Sequence, residues 1–380
     1  MASTITWDEL RELAGFRADK GCAVSLYLNL DPSDVPTPAD VETRTSSLIA
    51  EAHRVLDERK ASLRREVREA LKQDLGRIET WFDDGFDRHG VRGIALFAAG
   101  LDNFWSTLPL PDPVADQVTI AGDLCLAPLA RLVGRADGVL VAAVGRERGQ
   151  VFALAGGTLV ELADESEDVP GRHDQGGWSQ ARYERHIDEI VERHWRRVAD
   201  TLDSCVRKAR GARVVLVGAE DMRSDFEQLL SNEVKGRLLG WTTAEAHADA
   251  PRLLDVARPV LEAWWATRDE DVIERWREEA GKNGRAATGW EQTLEAASDG
   301  RAEVLLVQDG TDEPAYQCPA CGRAQVAHGS CPLDGTTLES RASGLDVAVH
   351  ETLAHGGTVH VIRERRDLEP VGGVGALLRY

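Results

Sequence analysis

Two short stretches of the chain share one shape: Cys318-Pro-Ala-Cys321-Gly322 and Cys331-Pro-Leu-Asp334-Gly335. Each reads Cys-Pro-x-donor-Gly. The proline stiffens the turn, and the glycine permits the tight return that aims both donors at one ion. Paired knuckles of this kind build a zinc ribbon, whose metal takes four donors in a tetrahedron. Three of the donors are thiols, Cys318, Cys321 and Cys331. The fourth position falls to Asp334, with His328 as a nearby alternative. A carboxylate completes a zinc site. The competing reading is a ribbon that has lost one ligand and is held by turns and packing alone. Four protein donors leave no open position for chemistry, so Zn2+ here would be structural, stapling a loop-rich insertion at about 314–340.

A second stretch is His173-Asp-Gln-Gly176-Gly177-Trp178-Ser179-Gln-Ala-Arg182-Tyr-Glu-Arg185. Two glycines stand at the mouth of a helix, with Ser179 in the position of an N-cap. Trp178 is large and apolar in a loop crowded with Asp, Glu, Gly and Pro, where a pure connector would not need it. The helix behind carries Arg182, Arg185, Arg193, Arg196 and Arg197 off its apolar stripe. Such a face suits contact with phosphates. It is equally a solvated face balanced by Glu184, Asp188, Glu189 and Glu192.

The elements that must position these groups follow from periodicity. Ala23 to Leu30, Val91 to Ala98 and Val118 to Ala121 predict strands, and Val41 to Phe82 predicts one long or two shorter helices. Gly138–Gly145 and Gly149–Ala155 predict two further strands around a charged turn. Tyr183, Ile187, Ile190, Val191, Trp195, Val198, Leu202 and Val206 recur at helical spacing, then Arg213 to Val217 predicts a buried strand. Beyond Pro259 the expected elements are helices at 263–265, 272–279, 290–297 and 345–354, with strands at 303–308 and 358–362. The sum is an α/β (multi-domain α+β) protein of three domains, at 1–132, 133–256 and 257–380, the last carrying the ribbon.

Charge narrows the partners. The formal net charge is −20, from 45 basic and 65 acidic residues, which argues against non-specific binding to nucleic acid over the whole surface. A local basic face is still compatible with it. The six cysteines do not form a disulfide framework, which suits a reducing, cytoplasmic compartment. The N-terminal residues show no export signal, and no apolar run approaches the ~20 residues of a membrane span.

The run from Gly176 to Arg185 resembles the loop and helix start of the archaeal and eukaryotic class-1 release factors. There, two glycines and a glutamine enter the peptidyl-transferase centre, followed by Ser-Ala-x-Arg and an aromatic residue. The segments Leu294-Glu295-Ala296 into Val304-Leu305-Leu306, and Gly372-Gly-Val-Gly-Ala-Leu-Leu-Arg-Tyr380, resemble the family's C-terminal domain. Some members carry a zinc-ribbon insertion at the corresponding place. The resemblance runs from about Gly138 to the end. Over the first domain it is weak, and no stop-codon-reading Asn-Ile-Lys-Ser motif is present.

Trp178 stands where release factors place glutamine. In the family, hydrolysis depends on that residue's backbone N–H, with its side chain restricting entry to water; an indole is a poor substitute for the compact amide. The scaffold without the catalytic triplet is similar to Pelota-like rescue factors and to a bacterial, Balon-like branch of hibernation factors. The resemblance therefore implies a ribosome-binding factor at the A site, partly a tRNA mimic, that contacts rRNA through Gly176, Gly177, Trp178, Arg182, Arg185 and Arg193. A translational GTPase or elongation factor is an implied partner, while neither membrane nor DNA is. Two alternatives stay open. One is an enzyme cleaving peptidyl-tRNA, with Gly177, Trp178 and Arg182 (and His173) in the catalytic region. The other is a protein-binding adaptor.

Overall fold

The computed structural model describes residues 5–380 apart from 85, 87, 89–90, 111, 137, 156, 168–179, 210, 246, 283 and 364, with the backbone alone at 134–136 and 180–185. These residues form two compact units, Met1–Arg135 with Glu270–Tyr380, and Ala136–Asp269.

The chain opens with α1 (Trp7–Ala14), β1 (Ala23–Asn29), α2 (Pro38–Glu58), α3 (Arg65–Asp83), β2 (Gly93–Ala99), β3 (Phe104–Leu110), β4 (Gln117–Ala121) and α4 (Ala127–Ala136). The expected helical span at 41–82 is thus two helices. The strands form an antiparallel sheet in the order β3-β2-β1-β4. Alternation on β1 and β2 sends Val24, Leu26, Leu28, Ile94 and Leu96 to one face, under α2 and α3. Tyr27, Ala95 and Phe97 go to the other. The strand β3 was not legible in the sequence, because Pro109 breaks the pattern. It is an edge strand, where a missing N–H costs no ladder bond.

The second unit contains β5 (Val139–Val144), β6 (Gly149–Ala155), β7 (Thr158–Asp164), α5 (Gln180–Lys208), β8 (Arg213–Val217), α6 (Arg223–Leu229), α7 (Asn232–Lys235), β9 (Leu238–Thr242) and the first part of α8 (Ala250–Gly281). The sheet order is β7-β6-β5-β8-β9, with β5, β8 and β9 parallel and β6–β7 an antiparallel hairpin. On β5, Leu140, Ala142 and Val144 pack beneath Ile187, Val191, Val198 and Leu202 of α5. Val139, Val141 and Ala143 face Leu253, Ala257 and Leu261 of α8. A strand buried on both faces must be continuously apolar, which is why β5 reads Val-Leu-Val-Ala-Ala-Val. Polar clamps hold the β5–β6 turn to α5. The Trp195 indole donates to the Gly145 carbonyl (2.8 Å), and His194 Nε2 meets the Arg148 carbonyl (3.1 Å). Helix α8 continues through Pro259, so the proline marks no break between elements here.

The chain returns to the first unit with β10 (Ala286–Thr288), α9 (Gly289–Ser298), β11 (Ala302–Gln308), β12 (Ala315–Gln317), β13 (Ala324–Gln325), β14 (Glu339–Arg341), α10 (Gly344–Ala354), β15 (Thr358–Ile362) and β16 (Val374–Leu378). The main sheet runs β10-β16-β11-β15, and a small sheet β13-β12-β14 is inserted between β11 and α10. Ile273 and Trp276 of α8 cover one face of the main sheet, through Leu306, Ile362 and Leu377. The other face shares a core with the N-terminal sheet, in which Tyr27 and Phe97 cluster with Leu129 of α4, Leu294 of α9 and Val349 of α10.

A polar joint runs through that shared core. The Asp346 Oδ1 accepts from the backbone N–H of Leu126 (2.8 Å) and of Ala127 (3.2 Å), capping the start of α4 from 220 residues away. Asp123 pairs with Arg341. Burial pushes the Asp346 carboxyl up to about 6, with the neighbouring Asp123 charge adding to the shift. Burial also raises Asp123, but Arg341 and His350 outweigh it and bring that carboxyl below its ordinary value. Burial pushes the His350 imidazole down and the Glu351 carboxyl up.

A carboxyl raised in the native state favours folding while protonated. Its contribution falls as pH rises from the ordinary 3.8 to about 6 and is flat above. The Asp346→Asn variant keeps the acceptor for both N–H groups and removes the ionisation. Its stability relative to the native chain is expected to climb across that window and level off above it. The measurement is the difference between paired urea titrations at successive pH values; a difference independent of pH counts against the assignment.

Candidate metal centre

The two knuckles form the predicted turns. The Cys318 N–H donates to the Arg323 carbonyl (2.8 Å) and the Gly322 N–H to the Cys318 carbonyl (3.0 Å). In the second knuckle the Cys331 N–H donates to Thr336 O (2.7 Å) and the Gly335 N–H to Cys331 O (2.9 Å). Gly322 and Gly335 close these turns at φ +79° and +74°, the left-handed region that favours glycine. Among the described residues, Cys318, Cys321, Cys331 and Asp334 gather donor atoms that all lie within 4.8 Å of one another. His328 is not in the group; its ring packs edge-on against Tyr316 at 5.3 Å.

The donors fit a metal by geometry and by charge. A tetrahedral zinc with bonds of about 2.3 Å separates its sulfurs by about 3.8 Å. Here Cys321 Sγ is 3.5 Å from Cys331 Sγ, and Cys318 Sγ is 3.4 and 3.7 Å from the two Asp334 oxygens. Asp334 is held at about 2 by the backbone N–H and hydroxyl of Thr336, so it is a ready anion. Burial opposes the Cys318 thiolate, but N–H groups of Cys321 and Ala320 more than offset it and lower this thiol. Cys321 is pushed up to about 12, by burial first and then by the Cys331 and Cys318 sulfurs beside it. Cys321 therefore resists ionising beside its neighbouring sulfurs. A cation among them reverses that penalty.

The surroundings fix the knuckles. Arg323 bridges Glu295 of α9 (2.9 Å) and its C-cap Asp299 (2.7 Å), and the Ala324 N–H donates to Ser298 Oγ (3.0 Å). Gln317 Nε2 donates to the Gly322 carbonyl (3.2 Å) and to Glu351 Oε1 (3.0 Å). Cys318 and Cys331 are buried while Cys321 is exposed. The sequence reading missed Gln317, Glu351, Arg341 and Asp123. Their only signal is that Asp346, His350 and Glu351 interrupt an otherwise apolar helix.

The glycine-loop residues Gly176, Gly177, Trp178 and His173 lie outside the described residues, as do the side chains of Arg182 and Arg185. Arg193 is exposed on α5. Its neighbours are engaged: Arg196 pairs with Glu192 (2.5 Å), Arg197 with Glu167 and Arg207 with Asp203.

A family model described as bacterial archaeo-eukaryotic release factor family 10 matches residues 125–263. Peptide chain release factor subunit 1 of Archaeoglobus fulgidus is 24% identical over 185 residues, 46% of this chain and 46% of that protein. The chain thus spans about half the length of that relative. The same-named protein of Thermococcus kodakarensis is 21% identical over 98% of this chain and 96% of its own length. A solved structure, a model of ribosome-bound archaeal Pelota and ABCE1, is similar at TM-score 0.41 and 14% identity, covering 76% of this chain and 77% of that one. Residues 125–263 are thus similar to a release factor family, and nearly the whole chain is similar to an archaeal release factor subunit.

Two glycines test the local argument. Gly322→Ala forces a Cβ into left-handed backbone and is expected to lower stability by about 1–2 kcal/mol. Gly76 is exposed within α3 and an added Cβ there meets nothing within 4 Å, so Gly76→Ala is expected to raise stability by about 0.5–1 kcal/mol. Urea denaturation of the two variants side by side reads the opposite signs.

Proposed function

We propose that the chain is a cytoplasmic, ribosome-binding translation factor that occupies the decoding A site in hibernation or rescue and does not release peptide. The observation that carries this is Trp178. It follows a glycine pair inside the span matched by the release factor family, at the place where the resemblance calls for glutamine. By the resemblance the backbone N–H of that position is kept, but an indole is a poor substitute for the compact amide that restricts entry to water. The loop then fills or senses the peptidyl-transferase centre, with Gly176, Gly177, Trp178, Arg182, Arg185 and Arg193 against rRNA. A translational GTPase is the fitting companion, by likeness to the superfamily. Three modules serve the task, at 1–132, 133–256 and 257–380, the first toward the decoding site.

The metal of Cys318, Cys321, Cys331 and Asp334 is proposed to be a structural Zn2+. Sulfur-rich, four-donor sites select zinc among the common divalent ions. When bound, the ion supplies no reaction step; it holds the two knuckles together. Cys318 anchors the first knuckle at the end of β12, Cys331 anchors the second, and Asp334 supplies the carboxylate that Thr336 orients.

Sedimentation with 70S ribosomes from growing and starved cells tests the first proposal. Co-migration in at least one state is expected, weakening steeply as salt rises. Absence from both overturns it. Labelled peptide released from stalled ribosomes, and lost with Gly177→Ala, would favour the hydrolase instead. Elemental analysis of the purified chain tests the second. One zinc per chain is expected, lost with Cys318→Ala and with Cys331→Ala.

A further inference from the structure

Among the four clustered donors, two close contacts bridge the two knuckles. Cys318 Sγ lies against the Asp334 carboxylate at 3.4 Å, and Cys321 Sγ lies against Cys331 Sγ at 3.5 Å. Cys321 is the exposed member of the three thiols, and Cys318 and Cys331 are buried. An oxidant arriving from solvent therefore meets Cys321 first. The sulfur that faces it across the knuckles, at 3.5 Å, is Cys331.

We propose that Cys321 and Cys331 are an oxidative modification site, at which a peroxide converts the two thiolates into a disulfide and expels the metal. The metal-release half rests on the structural-zinc reading above; the disulfide half does not. The Cys321 thiolate attacks one peroxide oxygen, breaking the O–O bond, forming a sulfenic acid and releasing hydroxide. The Cys331 thiolate then attacks the Cys321 sulfur, forming the S–S bond as a second hydroxide leaves. Two thiolates lose two electrons in all, and one hydrogen peroxide gains them. What remains for the metal is one thiolate, Cys318, and the Asp334 carboxylate. A four-cysteine ribbon losing one pair keeps two thiolates, so the aspartate makes this site the easier one to empty. The disulfide joins the same two turns that the ion joined. Oxidation thus exchanges one staple for another.

The test treats the full chain, zinc-loaded and metal-free, with hydrogen peroxide. Metal release is followed with a chromophoric chelator, and the disulfide by peptide mapping after alkylation under denaturing conditions. The expected result is one zinc released per chain, a mass decrease of about 2 Da, a Cys321–Cys331 linkage, and reversal by dithiothreitol with added zinc. Cys22, Cys125 and Cys205 are expected to stay alkylatable. The metal-free chain is expected to form the same linkage more slowly, without the cation that favours the thiolates, so a chain that never held zinc would defeat the metal reading and leave the pair testable. With Cys331→Ser, Cys321 is expected to accumulate as sulfenic acid, trapped by dimedone. A Cys318–Cys321 linkage, over-oxidation of Cys321 in the native chain without a cross-link, or a disulfide that leaves the zinc bound would each overturn the proposal.

Discussion

The first unit depends on one buried carboxylate. Asp346 lies in the first turn of α10, whose N-cap Ser343 accepts its backbone N–H, and its side chain caps α4 in the N-terminal segment. Two residues before that cap, the last residue of β14, Arg341, pairs with Asp123. Six residues of chain, Arg341 to Asp346, therefore hold two contacts to the segment between β4 and α4, and the same span ends the ribbon. Buried polar groups without partners cost several kcal/mol, so these contacts specify one arrangement of the sheets where apolar surfaces alone would allow sliding. The apolar core shared by the two sheets supplies the bulk of the attraction, and the polar joint sets its register.

The ribbon is a different physical case. Its own core is Cys318, Cys331 and Leu338 with Tyr316 beside them. So little apolar surface does not offset the conformational entropy of some twenty-five ordered residues, at about 1–2 kcal/mol each. Metal binding is the ordinary remedy for a loop-rich segment of this size. Anchoring is a second one, through Arg323 to α9 and Gln317 to Glu351. The knuckle turns are held by backbone bonds, which preorganises the donors and would keep the proposed exchange of ion for disulfide short in distance.

What the sequence disclosed follows from how local each signal is. Knuckles, glycine turns and the stripe of α5 are written within a few residues, and the strands β1, β2, β5 and β8 declare themselves as apolar runs. The strands β3, β7 and β9 did not. The first carries a proline at an edge, and β7 is an edge strand with Val160 and Leu162 exposed at 39% and 49%, so alternation fails on it. The continuity of α8 was hidden by Pro259, because a lone proline reads as a boundary while packing of Leu253, Leu254, Ala257 and Leu261 holds the helix through it. The polar joint was illegible for a stronger reason. Its partners are more than two hundred residues apart, and no pattern within one element announces such a pairing.

Under the proposed function, the charge pattern of α5 bears on how an acidic chain would meet RNA. Arg196 and Arg197 lie in exposed ion pairs with Glu192 and Glu167, and such pairs contribute only about 0–1 kcal/mol each. Phosphate offers arginine a bidentate, charge-assisted partner that is stronger than a solvated carboxylate. The exchange is cheap for the helix. The glutamates left behind repel the same phosphates, so the gain is large only where rigid RNA presents its phosphates to the arginines and away from the acids. An overall charge of −20 then acts as a filter. It disfavours contact with nucleic acid in general, and under the proposed function it would leave binding only to a surface whose shape fits the arginine positions.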